Sequence, residues 1–218
     1  MVDFVCGPCE GLDKLREVIR ILRSPEGCPW DREQTHISLR GALIEEAYEV
    51  ADAIETGGGA DLCEELGDLL LQVVFHAVLA EEAGRFTLEE VTGGVCGKLV
   101  RRHPHVFGDV RADDAGQVLR NWDAIKRGEK AQATPAEALR AVPRSFPALL
   151  RADKLISRAE RAGYPQGGPA GDPVTLTEEE AGEELFRAVL RARAAGVDPE
   201  MALQRRLERL IEAVEQAV

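Results

Sequence analysis

Glu64-Glu65-Leu66-Gly67-Asp68-Leu69-Leu70-Leu71-Gln72-Val73-Val74-Phe75-His76-Ala77 is the stretch that decides the fold. Leu66, Leu69, Leu70, Val73, Val74 and Ala77 recur at three- and four-residue steps, the period of one helix face. Glu65 and Asp68 stand three positions apart and therefore share a side of that helix. Asp61 with Glu64 reads as a capping box at its start, and the helix continues to about Gly84. The longest apolar run, Leu69 to Ala80, is broken by Gln72 and His76, so it is too short and too polar to span a bilayer.

Upstream, Gly57-Gly58-Gly59 stops another helix, whose apolar stripe is Leu43, Ala47, Val50, Ala51 and Ile54. It carries Glu46 and Glu49, again three apart, with Glu45 adjacent. The two stripes require the helices to pack together. If their acidic faces flank the seam, Glu46, Glu49, Glu65 and Asp68 converge. Such a cluster repels itself unless a cation fills it. Hard oxygen ligands in that number suit Mg²⁺ or Mn²⁺. The bland alternative is two solvated helix faces, because a Glu-rich surface helix is common; the apolar neighbours Leu69-Leu70-Leu71 weigh against it.

The rest of the chain is also helical. Leu12, Leu15, Val18, Ile19 and Leu22 form a first helix that Ser24-Pro25-Glu26-Gly27 ends. Residues 28–36, CPWDREQTH, read as a loop. Thr87 with Glu90 caps a helix ending near His103-Pro104, and another begins at Asp113 or Asp114. No segment alternates with period two. Beyond Thr134-Pro135 the breakers Pro143 and Pro147 are followed by a glycine- and proline-rich linker, residues 163–173. Helices resume at Thr177, which has Glu180 as its capping-box partner, and at Asp198-Pro199. A faint repeat relates Glu65-Leu66-Gly67-Asp68 to Glu180-Ala181-Gly182-Glu183, but the second copy lacks the preceding acidic helix.

Basic residues supply a second component. Lys98, Arg101 and Arg102 end a helix, where cations are favourable in any case. As a phosphate clamp, the arginines offer bidentate geometry. Lys126, Arg127 and Lys130 form a further cluster, with Trp122 one turn before Lys126. An indole beside a cation suits base stacking, and suits a core equally well; Trp30 carries the same two readings. His76, inside an apolar helix, reads as packing, and His36, His103 and His105 have no zinc spacing.

The chain has 218 residues, of which 44% are hydrophobic, enough for a core without staples. Its 39 acids against 27 Lys and Arg give a net charge of −12, which argues against nonspecific binding to nucleic acid or anionic membrane. Five scattered cysteines do not form a disulfide framework. Cys6-Gly7-Pro8-Cys9 copies a redox CxxC without the strand and helix such a site needs. The N-terminus lacks the basic and apolar regions of a signal peptide, so a cytoplasmic location is expected.

Six stretches occur in order: CPWDREQTH, LIEEAYEVADAI, EELGDLLLQVVFHA, EEAGRF, KLVRRHPHVFG and NWDAIKRGEK. Together, over roughly Leu12 to Lys130, they resemble the MazG family of nucleoside triphosphate pyrophosphohydrolases. The resemblance implies an all-α helical bundle assembling as a tight homodimer. It implies Mg²⁺-dependent hydrolysis of NTPs and dNTPs between the α and β phosphates, giving a nucleoside monophosphate and pyrophosphate. The family's acidic pattern falls on Glu45, Glu46, Glu49, Glu65 and Asp68, its basic helix on Lys98, Arg101 and Arg102, and its Trp/Lys pair on Trp122 and Lys126. Longer members carry two such domains in tandem. Here residues 1–133 form the complete domain and 134–218 a degenerate, truncated second one.

The mechanism expected is metal-assisted in-line attack of water on the α-phosphorus. Glu46, Glu49, Glu65 and Asp68 hold Mg²⁺, Glu45 orients the water, and Lys98, Arg101 and Arg102 neutralise the leaving pyrophosphate. The scarcity of base-specific polar groups implies broad base tolerance. The alternatives are a narrow dUTP or dCTP pyrophosphatase, and a noncatalytic helical interaction module in which metal only stabilises a dimer.

Overall fold

The computed structural model describes residues 11–129, 134–165 and 175–217, and among them every regular element is helical. The redox-like Cys6 and Cys9, Lys130 and most of the 163–173 linker lie outside the described residues. The chain divides into two compact units, Met1–Val118 and Leu119–Val218. The sequence pattern places the division at 133/134 instead.

The first unit is built on α4 (Gly59–Glu82), 24 residues and roughly 36 Å long. Against it pack α1 (Gly11–Arg23), α3 (Arg40–Thr56) and α5 (Leu88–Arg102). The short helices α2 (Pro29–Glu33) and α6 (Pro104–Phe107) lie between and after them. Ile19 of α1, Leu39 at the start of α3, Val74, Phe75, Ala77, Val78 and Leu79 of α4, and Leu88 of α5 make one buried cluster. Each of its larger side chains contributes about 1.5–3 kcal/mol through removal from water. At the outer edge Arg20 pairs with Glu81 at 2.6 Å and Arg23 with Glu82 at 2.7 Å, tying α1 to the end of α4.

In the second unit α8 (Pro135–Arg140), α9 (Ala148–Arg161) and α11 (Pro199–Gln216) enclose Leu139, Val142, Leu155, Ala159, Leu207, Leu210, Ile211 and Val214. Arg151, 2% exposed, donates to Gln204 and Glu208 at 2.7 Å each and joins α9 to α11. Helix α10 (Glu178–Ala194) packs on α11 and buries none of its own residues. Helix α7 (Ala115–Glu129) spans the division between the units.

The capping boxes at Thr87/Glu90, Thr134/Glu137 and Thr177/Glu180 all form, and Gly57 ends α3 in the left-handed region at φ +72°. Three expectations change. Asp61 is not a cap: α4 starts two residues earlier behind an extended Gly58, which leaves Asp61 in the first turn. The CPWDREQTH stretch is not all loop, because Pro29 at the first helical position starts α2. Within α3 only Ala53 is buried, while Ala47, Ala51 and Ile54 of its apolar stripe are exposed. That helix has α4 on one side and, among the described residues of the single chain, no further layer over its other faces.

Candidate metal centre

Glu46 and Glu49 come from α3, Glu65 from α4, and each offers an oxygen within 4.8 Å of the other two. Helical periodicity puts Glu46 and Glu49 on one face, and the close packing of α3 on α4 brings that face to Glu65. Asp68, one turn further along α4, stands outside this tight trio but within electrostatic reach of it. Partial burial raises the Glu46 carboxyl above the usual range, and the charges of Glu49 and Asp68 raise it further. Partial burial also raises Glu65, again with Glu49 and Asp68 reinforcing the shift.

Both shifts have the same two causes: removal from water first, and repulsion among neighbouring carboxylates second. The donor set is all oxygen, anionic and clustered, which fits a hard divalent ion. The described structure therefore contains an acidic cluster able to hold a divalent metal, contributed by the two helices expected to form it.

The other expected residues are distributed around this trio. Glu45 is exposed on α3 and, with Tyr48, Glu49, Ala51, Asp52 and Glu55, lines an open groove; Glu49 belongs to both groove and cluster. Lys98 is half-buried, Arg101 exposed and Arg102 buried, all at the C-terminal end of α5. Trp30, on α2, is 62% exposed. Trp122 and Lys126 are half-buried on α7 beyond the unit division, so the geometry of the first unit does not include them.

One pairing has no signal in the local pattern. His36 and His76, 40 positions apart, bring their Nδ1 atoms to 2.9 Å. Burial lowers the basicity of His76, and His36 lowers it further. His76 is thus both the packing residue expected from its apolar helix and half of a polar pair.

Residues 34–107 match the MazG nucleotide pyrophosphohydrolase domain. A nucleoside triphosphate pyrophosphohydrolase of Escherichia coli K12 is 41% identical over 95% of this chain and 88% of its own length. The chain belongs to the MazG family. Another MazG relative, a nucleoside triphosphate pyrophosphohydrolase/pyrophosphatase of Thermotoga maritima, is also 41% identical, over 92% of this chain and 82% of that one. A solved mazG-related protein from Thermotoga maritima is 30% identical and covers 53% of this chain and 99% of that one, with a TM-score of 0.46. The MazG match takes in α3, α4 and α5, and with them Glu45, Glu46, Glu49, Glu65, Asp68, Lys98, Arg101 and Arg102. Among the described residues no helix is long and apolar enough to cross a membrane.

Proposed function

We propose that Glu46, Glu49, Glu65 and Asp68 hold Mg²⁺, with Mn²⁺ as the second candidate, against the triphosphate of a nucleotide. The reaction is that of the MazG nucleotide pyrophosphohydrolases: a nucleoside triphosphate and water give a nucleoside monophosphate and pyrophosphate. The observation that carries the metal reading is the trio of carboxylates within 4.8 Å, two of them shifted toward the neutral form by partial burial and then by the neighbouring charges. When bound, a divalent ion supplies charge neutralisation and Lewis acidity.

The chain's own residues do the rest. Glu46 and Glu49 present their oxygens from one turn of α3, and Glu65 and Asp68 from one turn of α4. The rigid backbones set the spacing before substrate arrives. Glu45, on the groove beside Glu49, orients the attacking water and accepts its proton. Lys98, Arg101 and Arg102 bind the phosphates and neutralise charge on the leaving pyrophosphate. These three lie on the helix that follows α4, joined to it where the Leu88 N–H donates to Glu81 at 3.0 Å. Exposed Trp30 offers a face on which any base can stack, so all four bases and both sugars are accepted.

The activity belongs to residues 1–133, and 134–218 is a degenerate second MazG-like region. The working form is a homodimer. Ile44, Tyr48 and Ile54 of α3 and Leu66, Leu70 and Val73 of α4 are all exposed in the single chain and offer apolar side chains to a second copy. The enzyme acts in the cytoplasm on the nucleotide pool and binds no nucleic acid, in keeping with a net charge of −12.

The test is release of monophosphate and pyrophosphate from the four NTPs and four dNTPs, with Mg²⁺ and with chelator. Turnover of all eight that stops on chelation is expected. Metal-independent turnover would overturn the metal reading, and turnover of a single nucleotide would overturn the broad one.

A further inference from the structure

The segment between α2 and α3 is held to the first unit by few bonds. Arg23 of α1 donates to the carbonyls of Asp31 and Gln34. Within the segment, Gln34 Nε2 donates to the Trp30 carbonyl at 2.9 Å and Ser38 Oγ donates to Gln34 Oε1 at 2.8 Å. Toward α4 the polar tie is His36, whose Nδ1 lies 2.9 Å from His76 Nδ1 with the rings parallel to within 8°. At that distance one hydrogen lies between the two nitrogens, because two lone pairs or two N–H groups facing each other repel. The far nitrogen of His76, Nε2, is closed off from solvent and has no partner among the described residues. The pair's one hydrogen bond is therefore the polar contact that keeps this ring in place inside α4.

The helix that this segment leads into makes the tie matter. A helix normally takes its register against a neighbour from ridges of side chains seated in grooves. Helix α3 lies closely along α4, but Ala53 near its far end is its one buried residue, and Leu39 just ahead of it is buried in the core cluster with the α4 side chains. Glu46 and Glu49 sit between these two anchors. The entrance anchor consists of Leu39 and, one turn before it, His36.

We propose that His36 and His76 form a latch that fixes the entrance of α3, and the Trp30 segment before it, against α4, and so positions Glu46 and Glu49 opposite Glu65 and Asp68. This rests on the reading of those acids as a divalent-ion site. His36 and His76 are positioning residues; neither touches the ion or the substrate. The latch sets how well preformed the carboxylate cluster is, and thus how much Mg²⁺ is needed to fill it.

Three measurements on the full-length protein test it. In the wild type, ¹⁵N NMR of the imidazoles is expected to show a coupling across an N–H···N bond between His36 and His76. Next, His36→Phe keeps a ring and removes the bond, whereas His36→Asn restores a nitrogen donor at the Nδ1 position. Calorimetric Mg²⁺ titration is expected to give about tenfold weaker binding for the Phe variant, the scale on which losing a supporting residue weakens a metal site. The Asn variant is expected to recover most of that loss. Hydrogen exchange of amides 39–43 is expected to quicken in the Phe variant and return toward wild type in the Asn variant. Absence of the coupling, or a Phe variant with wild-type Mg²⁺ affinity and exchange, overturns the latch. A lower melting temperature with unchanged Mg²⁺ affinity overturns it too, because that marks packing alone. A wild type that binds no Mg²⁺ overturns the metal reading instead, and the coupling and exchange then decide the latch independently.

Discussion

Helices α4 and α10 carry similar acidic turns, Glu65-Leu66-Gly67-Asp68 in one and Glu180-Ala181-Gly182-Glu183 in the other, yet their carboxylates meet opposite fates. Glu65 faces Glu46 and Glu49 from α3, and its carboxyl is raised by partial burial and like charge. Glu180 turns back onto Thr177, whose backbone and side-chain hydrogen bonds lower its carboxyl. Glu183 is paired with Arg187 one turn on, at 2.7 Å. On α10 these two acids have local partners; on α4 Glu65 is set against the carboxylates of another helix. The difference is a partner helix. Helix α3 brings a second acidic pair to α4, and among the described residues nothing comparable lies on α10. An acidic helical turn becomes a candidate metal site when a second helix delivers further carboxylates to it.

The hardest way to break this comparison is to remove a ligand. Glu49→Ala or Asp68→Ala is expected to lower pyrophosphate release by more than about 100-fold, beyond the loss typical of a merely supporting residue. Glu183→Ala should leave the rate within about twofold, a change too small to signal lost transition-state stabilisation. Equal losses in the two units, measured by the same release assay, would mean that α10 also carries a working site.

Metal removal should act in the same direction. Mg²⁺ at 100 times its dissociation constant stabilises the fold by about 2.7 kcal/mol. Thermal melts with and without chelator should show that gain in the wild type and in Glu183→Gln, and lose most of it in Glu49→Gln. A shift that survives Glu49→Gln would place the ion elsewhere.

The pH dependence has opposite signs in the two regions. Glu46 and Glu65 have raised carboxyls in the ion-free fold, so the stability they contribute is full below the ordinary carboxylate pKa of about 4.3 and is lost as pH rises through their folded values. Glu180 is lowered, so its contribution is present above the ordinary value and lost as pH falls through the folded one. On the proposed reading Mg²⁺ competes with protons at Glu46 and Glu65. The thermal shift on adding Mg²⁺ should therefore shrink as pH falls from about 7 toward about 5. A shift that grows on acidification would break the assignment.

The smallest effect sharpens the contrast from the other side. Thr177→Ala removes the α10 cap and should cost about 1 kcal/mol of stability. It should leave turnover untouched, as read by melting and release assays together.

Local signals in the chain carried the helix ends. Thr-x-x-Glu at 87, 134 and 177, Gly57 after α3 and Asp198-Pro199 before α11 each act within four residues, and each was legible. Local reading failed where a competing local feature won. Pro29 nucleates α2 inside an apparent loop, and Gly58 starts α4 ahead of Asp61. Pro143 and Pro147 do break the chain between α8 and α9, but the helix that starts behind Pro147 as its N-cap was not read from the sequence.

By itself the sequence determined an all-α chain with two acidic pairs on successive helices and a second region lacking the helix that would complete another site. Periodicity and capping are properties of neighbouring residues, so they survive without coordinates. Tertiary structure alone decided that Glu46, Glu49 and Glu65 form the tight trio while Asp68 stands outside it, because the distance between acids on two helices depends on how the helices are offset. It alone showed that the apolar stripe of α3 is largely open, and that His36 meets His76 across 40 positions. Such contacts depend on how packed helices slide and rotate against one another, and no spacing within either helix encodes that.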